Sequence, residues 1–293
     1  MAISAAQVKE LRERTGLGMM ECKAALIETD GNMEAAIDVL RKKAGAKVEK
    51  KAHRIAAEGA IGLYVSEAGD VGALVEINSE TDFVAKEDRF VGFAQMLAEL
   101  VARQNPAHIE ALMALPATGG GTVSEQRAGL IAQFGENMGV RRFVRMTADG
   151  GRLGHYLHGR KIGVLIRITG GDATLARDLA MHIAASRPQY VQPGDVPADV
   201  MEREKAIYVA QAEESGKPRE IIEKMVMGKV KKYLDDISLV GQPFVKDPEI
   251  TVAEQLKRAK AAAHAFHRLE VGEGIEREAS NFASEVMSQV QGT

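Results

Sequence analysis

The sequence contains no tryptophan, one cysteine and few aromatic residues, which make up 4% of its 293 positions. A single thiol, Cys22, excludes an internal disulfide and fits a reducing compartment. No apolar run reaches the ~20 residues of a membrane span, and no basic region followed by an apolar one opens the chain as in a secretory signal. These absences predict a cytoplasmic protein with no membrane partner.

The charge balance and two missing motifs narrow the function further. A net charge of −3 argues against a binder of the phosphate backbone, so we expect no direct nucleic-acid partner. The sequence has no Gly-x4-Gly-Lys-Ser/Thr loop and no Gly-x-Gly-x-x-Gly between a strand and a helix. The consecutive glycines at 119–121 are typical of a linker. We therefore expect the protein to hold no nucleotide or other cofactor of its own.

The apolar fraction of 45% and the length suffice for two or three domains with cores of their own. Residues 1–54 predict a three-helix domain with the arrangement of ubiquitin-associated domains, in which Ser4 caps the first helix and later helices begin near Met19 and Met33. The basic residues 41–54 are typical of a solvated connector at a domain boundary, or of a segment that steers the protein toward an acidic partner.

Beyond residue 55 the sequence repeats itself. Each copy predicts a β-hairpin, then a helix, then a second helix opened by a Thr-x-x-Glu capping box, then a third strand. In the first copy these elements are expected at 59–66 with 71–77, 87–103, 122–126 and 140–146. In the second copy they are expected at 151–158 with 162–168, 172–186, 251–255 and 263–269.

The repeat predicts an α+β fold with two tandem related core units, 55–150 and 151–274. In each unit three short antiparallel strands present one apolar face that two helices cover. An insertion at about 191–239 in the second unit carries two charged helical stretches broken at 215–218, which predict a coiled-coil helical hairpin. This hairpin either projects from the core or folds back onto it. The remaining residues, 275–293, predict a C-terminal helical module.

One element of the first copy has no counterpart in the second. Residues 80–86 read Glu-Thr-Asp-Phe-Val-Ala-Lys and lie between a strand and a helix. A Thr or Asp in this position predicts a helix cap, with Phe83 folded inward as a hydrophobic staple. Alternatively Phe83 is an outward apolar anchor with the charge of Asp82 beside it, since such turns often present functional side chains. The pattern leaves both interpretations open.

Residues 80–86 resemble the signature of the bacterial elongation factor Ts family, the exchange factors of the GTPase elongation factor Tu. Residues 8–26 resemble the amino terminus of that family, and residues 241–246 and 266–276 resemble its carboxyl end, whereas residues 104–138 carry no family element. The resemblance implies a translation elongation factor, not an enzyme. Such a factor binds elongation factor Tu with GDP, disturbs its Mg²⁺ and phosphate site, and promotes GDP release so that GTP can bind.

The resemblance also implies roles for individual residues. Phe83 would insert between helices of the partner's nucleotide domain while Asp82 disturbs the groups around Mg²⁺, and Thr81 and Val84 complete this element. Family members with the helical insertion use it as a dimerisation arm, which implies a homodimer. Further contacts with elongation factor Tu are implied for Met19, Met20, Lys23 and His158. Adjacent helix positions point about 100° apart, so at least one of the two methionines is expected at the surface.

Three other functions fit parts of the sequence. An enzyme could take acid–base groups from Asp82 and the histidines, but no nucleophile motif accompanies them. Two His-x-x-His pairs, at 155–158 and 264–267, have the spacing of metal ligands, yet positions three apart on a strand face opposite sides. A recruitment module without catalytic consequence would use the N-terminal helices and leave the turn at Phe83 without a role.

Overall fold

The computed structural model describes residues 3–214 and 218–276. The break expected inside the helical hairpin falls mostly on residues 215–217, which lie outside the described residues. The predicted C-terminal helical module at 275–293 also lies outside them, except for residues 275–276.

Three helices form the N-terminal domain, as predicted. They are α1 (Ala5–Thr15), α2 (Met19–Glu28) and α3 (Met33–Lys51). Ser4 caps α1 by accepting a hydrogen bond from the Gln7 backbone, and α1 ends at Gly16, whose φ of 73° suits a residue without a Cβ. The small core between the helices consists of Val8, Leu11, Leu17, Cys22, Ala25, Leu26, Ala36 and Leu40.

The prediction of a connector at 41–54 is wrong for most of that stretch, because α3 continues through it to Lys51. The reason is an apolar stripe at helical spacing that the many basic residues conceal: Ala44 is buried, and Val48 packs against the core of the next unit. The Lys51 ammonium then donates a hydrogen bond to the Gly135 carbonyl. The helix therefore joins the N-terminal domain to the first core unit.

The first core unit follows the predicted order, with two further short helices. Its elements are β1 (Glu58–Val65), β2 (Val71–Ser79), α4 (Asp82–Lys86), α5 (Asp88–Gln104), α6 (Ile109–Ala114), α7 (Val123–Phe134) and β3 (Met138–Thr147). The strands form an antiparallel sheet in the order β1-β2-β3. The expected capping box opens α7, where Thr122 and Glu125 each bond the backbone of the other. Gly62 lets α5 lie directly on β1, because a Cβ there would overlap the Ala94 carbonyl.

The second core unit repeats this plan. Its elements are β4 (Arg152–His158), β5 (Ile162–Thr169), α8 (Ala173–Ser186), α9 (Ala198–Glu213), α10 (Arg219–Ile237), β6 (Pro243–Phe244), β7 (Asp247–Thr251), α11 (Val252–Arg258) and β8 (Ala262–Glu270). The sheet has the order β4-β5-β8, and the capping box at Thr251 opens α11 as predicted. Gly154 lies against the Ala176 carbonyl as Gly62 lies against Ala94. The central strand of each sheet also has a register shift against the last strand.

The two sheets pack face to face, so the layers run helices, sheet, sheet, helices. One face of each sheet contacts its own helices, and the other contributes to a shared cluster of Ile61, Leu74, Met146, Ala148, Leu153, Leu165, Leu269 and Val271. The expectation of one apolar face per sheet is therefore incomplete. Strand β2 is buried on both faces, which explains its nearly continuous apolar sequence.

A buried carboxylate links the two units. Glu76 of β2 accepts hydrogen bonds from Arg141 Nη1 at 3.1 Å, Arg142 Nε at 2.5 Å and the Gly272 backbone N–H at 2.8 Å. Burial by itself would raise the pKa of Glu76, but the Gly272 N–H and the two guanidinium groups outweigh that effect and hold the pKa below its ordinary value. Glu76 is thus charged and fully partnered, and it joins the end of the second unit to the first sheet.

The inserted helices α9 and α10 form the predicted hairpin. They pack mainly on each other and on short 3-10 turns at Pro193–Asp195 and Leu239–Gly241, so the hairpin projects from the core. At its base, buried His182 of α8 donates from Nε2 to Gln242 Oε1 at 2.9 Å and accepts at Nδ1 from the Val245 N–H at 3.1 Å. Gln242 in turn donates to the Asp236 carbonyl at 2.6 Å.

Candidate functional site

Residues 80–86 form a capped helical turn that presents an aromatic side chain to solvent. Thr81 caps α4 by accepting a hydrogen bond from the Val84 N–H at 3.4 Å, which confirms the predicted cap. Val84 and Ala85 are buried against the first core unit, whereas 78% of the Phe83 surface is exposed. The hydrophobic staple is therefore wrong, because a single helical turn buries one side only and Val84 and Ala85 occupy it.

Asp82 lies beside Phe83 and keeps its charge. Its Oδ2 accepts a hydrogen bond from Lys86 Nζ at 2.5 Å, one turn along α4. The hydrogen bond from Lys86 and the positive charges of Lys86 and Lys161 hold the pKa of Asp82 below its ordinary value. The turn thus presents an apolar ring and a carboxylate that stays ionised at neutral pH.

Two residues that sequence reasoning missed hold this turn from the side. Glu136 accepts hydrogen bonds from the Thr81 N–H at 3.0 Å and from the Thr81 hydroxyl at 2.6 Å. The Asn137 N–H donates to Glu80 Oε1 at 2.6 Å. Both partners lie between α7 and β3, in the stretch without a family element. No local pattern marks them, since 55 residues separate Glu136 from Thr81.

His158 lies at the exposed end of β4, in a turn that reaches the same end of the first unit. Its Nδ1 lies 3.2 Å from the Tyr156 hydroxyl. Two residues further on, the Arg160 carbonyl accepts the Ile61 N–H at 2.8 Å, and Lys161 forms an ion pair with Glu58 at 2.6 Å. Glu58 is paired in register with Ser79, the last residue of β2 before the α4 turn. The fold thus brings the His158 turn and the α4 turn to one end of the double sheet.

The N-terminal domain exposes a second apolar surface. Met19 and Met20 of α2 are 59% and 74% exposed, and Lys23 is exposed beside them. Ile27 is 57% exposed and extends this surface by one turn. Ile27 has no role in the sequence-based prediction, although its spacing of seven from Met20 places both residues on one face of the helix. The opposite face of α2 buries Cys22, Ala25 and Leu26.

Neither a metal site nor a membrane-spanning element emerges from the described ranges. Within 3–214 and 218–276, no group of three or more His, Cys, Asp or Glu side chains is placed to hold a metal ion. In the same ranges, no helix combines the length and apolarity needed to cross a bilayer.

Comparison with known proteins identifies relatives of this chain. The family model described as "Elongation factor TS" matches residues 80–273. The elongation factor Ts of Alkalilimnicola ehrlichii is 56% identical over 293 residues, and that of Thioalkalivibrio sulfidiphilus is also 56% identical over 293 residues, each alignment covering 100% of both chains. The elongation factor Ts of Methylococcus capsulatus is 53% identical over 291 residues, 99% of both chains. The chain belongs to the elongation factor Ts family.

Membership in the elongation factor Ts family confirms the resemblance seen in the sequence and makes the protein a translation elongation factor. The region matched by the family model begins at Glu80, the first residue of the turn that carries Phe83. It also contains Glu136 and His158. The N-terminal domain with Met19 and Met20 lies before that region, but it is included in the full-length alignments with the elongation factor Ts relatives.

Proposed function

We propose that the protein is the guanine-nucleotide exchange factor of elongation factor Tu, acting in the cytoplasm as a binding protein and not as an enzyme. The observation that supports this proposal best is the exposure of Phe83 on a turn whose neighbours Val84 and Ala85 are anchored in the core. A rigidly mounted, solvent-exposed aromatic ring gains about 1.5–3 kcal/mol when a partner buries it. Phe83 thus acts as a wedge between helices of the partner's nucleotide domain.

Asp82 supplies the electrostatic part of the mechanism. A GTPase holds GDP through charge-assisted contacts to the phosphates and through a Mg²⁺ ion that requires near-octahedral geometry. A carboxylate delivered beside the wedge competes for the groups and waters that surround this ion. Weakening two or three such contacts, each worth about 1.5–3 kcal/mol, lowers nucleotide affinity by roughly two to six powers of ten.

Linkage makes binding of nucleotide and binding of the protein to elongation factor Tu oppose each other. If the protein weakens GDP binding by some factor, GDP weakens binding of the protein by the same factor. Binding of GTP to the emptied site therefore releases the protein for another cycle.

Two further contact regions keep the wedge in place during this cycle. The exposed face of α2, with Met19, Met20 and Lys23, holds the partner through adaptable methionine contacts. His158 contacts it from the second unit, at the same end of the double sheet as Phe83. Thr81 and Val84 fix the turn itself, one as the cap and the other as the buried anchor.

The projecting hairpin forms a homodimer in this proposal. Its helices expose the apolar side chains of Met201, Ile207, Ile221 and Met227, some of which a second hairpin would cover. Deletion of residues 200–234 with a short glycine linker should give a folded monomer by light scattering. A truncated protein that keeps the mass of the dimer would refute the role of the hairpin.

Release of a fluorescent GDP from elongation factor Tu tests the exchange function. Excess unlabelled GDP is present, and the protein is added in substoichiometric amount. Rapid release through repeated turnover supports exchange. The second candidate is a recruitment module, which the exposed α2 face favours independently of Phe83. Binding without acceleration of release would leave only that module.

A further inference from the structure

We propose that Glu136 is a positioning residue that fixes the orientation of Phe83 through Thr81. The carboxylate holds Thr81 at two donors, the backbone N–H at 3.0 Å and the hydroxyl at 2.6 Å. Thr81 is the cap from which α4 begins, and Phe83 follows two residues later. The expected effect on activity rests on the exchange function proposed above, whereas the expected effect on the motion of the turn does not.

The contact is one half of a reciprocal clamp between two loops, formed by Glu136 with Thr81 and by Asn137 with Glu80. As Glu136 accepts from the Thr81 backbone, Glu80 accepts from the Asn137 backbone at 2.6 Å. Each loop thus supplies a carboxylate to the other's main chain. Charge-assisted hydrogen bonds of this kind are roughly twice as strong as those between neutral groups, and the pairing fixes direction as well as distance.

Arg54, three residues after the end of α3, supports the clamp from a third side. Arg54 Nη1 lies 3.4 Å from Glu80 Oε2, and the Arg54 carbonyl accepts from Asn137 Nδ2 at 2.7 Å. The segment that follows α3 therefore contacts Glu80 and Asn137, two of the residues that form the clamp. The clamp thus connects the segment after the N-terminal domain with the turn that carries Phe83.

Burial of Val84 and Ala85 holds one side of the turn, and the clamp holds its first residues, Glu80 and Thr81, neither of which is fully buried. Helix α4 has five residues, far below the length at which a helix is stable alone. The Phe83 ring is too exposed to be fixed by packing. Without the clamp, the ring would have to be ordered when the partner binds, and that loss of freedom would reduce the energy available for displacing nucleotide.

The first test is the exchange rate of Glu136→Gln. Glutamine has the same size and keeps one oxygen acceptor, but it loses the charge and turns an NH₂ group toward one of the two Thr81 donors. We expect GDP release to slow about tenfold. Glu67→Gln is the matched control, since it makes the same charge change in the β1–β2 turn and should leave the rate unchanged. Thr81→Val in both backgrounds then shows whether Glu136 acts through Thr81, in which case Glu136→Gln slows release less in the Thr81→Val background than in the original, because only the backbone contact is left to lose.

The second test measures the turn without any partner. Because the chain has no tryptophan, Phe83→Trp introduces a single indole at the site. Its time-resolved fluorescence anisotropy should show greater local motion when Glu136→Gln is added, while the melting temperature changes by only a few degrees. A general loss of structure would lower the melting temperature and the anisotropy together. Should Glu136→Gln fail to fold, Thr81→Val removes the hydroxyl contact from the other side and serves both tests.

The outcomes separate this proposal from the exchange function. Unchanged indole motion in Glu136→Gln overturns the positioning role, whatever the exchange assay shows. If Glu136→Gln increases indole motion but leaves the exchange rate normal, while Phe83→Ala slows GDP release, the position of the ring does not control activity. If Phe83→Ala exchanges GDP normally, the wedge itself fails, and the anisotropy still decides whether the clamp orders the turn.

Discussion

The two core units share a scaffold, and one of their differences lies at the connection between the hairpin and the first helix. In the second unit, Gly170 and Gly171, with φ of 67° and 65°, make a tight turn, and Asp172 caps α8 by accepting the Leu175 N–H at 2.8 Å. In the first unit, the longer connection at 80–86 forms α4 and exposes Phe83. The shared parts hold each sheet against its helices, so the difference marks where the first unit has become specialised.

Removal of the Phe83 ring should have the largest effect on the rate of GDP release, because it takes away the exposed side chain that distinguishes the first unit from the second. Phe83→Ala should slow GDP release from elongation factor Tu by roughly 10- to 100-fold, the loss of one buried aromatic contact. The melting temperature should stay within a few degrees of the original, since the ring packs little in the free protein. Normal exchange by a folded Phe83→Ala protein would contradict the wedge.

The shared scaffold predicts equal sensitivity at two matched glycines. Gly62→Ala and Gly154→Ala each place a Cβ against a helix carbonyl, of Ala94 and Ala176 respectively, and each should lower the free energy of unfolding by about 1–3 kcal/mol.

Gly92→Ala in α5 is the control, since a Cβ there meets no atom within 4 Å. It should leave stability the same or raise it by up to about 1 kcal/mol, because alanine favours a helix more than glycine does. Urea denaturation measures all three variants. A marked difference between Gly62→Ala and Gly154→Ala would show that the two helices are held in different ways.

The charge beside the wedge should contribute less than the ring. Asp82→Asn keeps the shape and removes the charge, and we expect it to slow GDP release several-fold, about as much as Asp82→Ala. Since the hydrogen bond from Lys86 lowers the pKa of Asp82, the carboxylate is ionised throughout the range from pH 6 to 8. The ratio of original to variant rate should therefore be constant across that range. A ratio that falls toward pH 6 would contradict this assignment.

The smallest expected effect is on the pH dependence of stability, and it comes from a buried histidine that only the second unit has at this position of its helix. Six residues after Ala94 and Ala176, the first unit has Leu100 and the second has buried His182. Burial lowers the pKa of His182 from its ordinary 6.5 despite the opposing hydrogen bond to Gln242. The imidazole is therefore neutral at pH 7, with Nδ1 free to accept the Val245 N–H.

This depressed pKa gives a defined pH dependence. The contribution of His182 to stability is complete above pH 6.5 and is lost as the pH falls from there toward the folded-state pKa, because only the unfolded chain binds the proton readily. His182→Gln should remove this part of the decline in unfolding free energy between pH 7 and 5.5. His53→Gln, at an exposed position, should not. Identical pH profiles for His182→Gln and the original protein would exclude the effect.

The sequence predicted the repeat, the hairpins and both capping boxes because these are local patterns of turns, caps and spacing. Prediction from the sequence failed where other residues concealed a pattern or where the contact joined distant parts of the chain. The basic residues around Ala44 and Val48 hid the continuation of α3. The exposure of Phe83 could not be decided from periodicity, since a staple and a wedge have the same sequence. Glu136 meets Thr81 only through the folded sheet, so no window of sequence contains both.

The hydrogen bond between buried Glu76 and Gly272 determines when the fold can be completed during synthesis. Its partner Gly272 lies 196 residues further along the chain. At about 5–20 residues per second, roughly 10–40 seconds of synthesis separate the two residues at the ribosome. During that interval β2 has neither the second sheet against its outer face nor the Gly272 N–H at its carboxylate. A member of a translation-factor family thus depends on a segment translated 196 residues after Glu76 to complete the centre of its own fold.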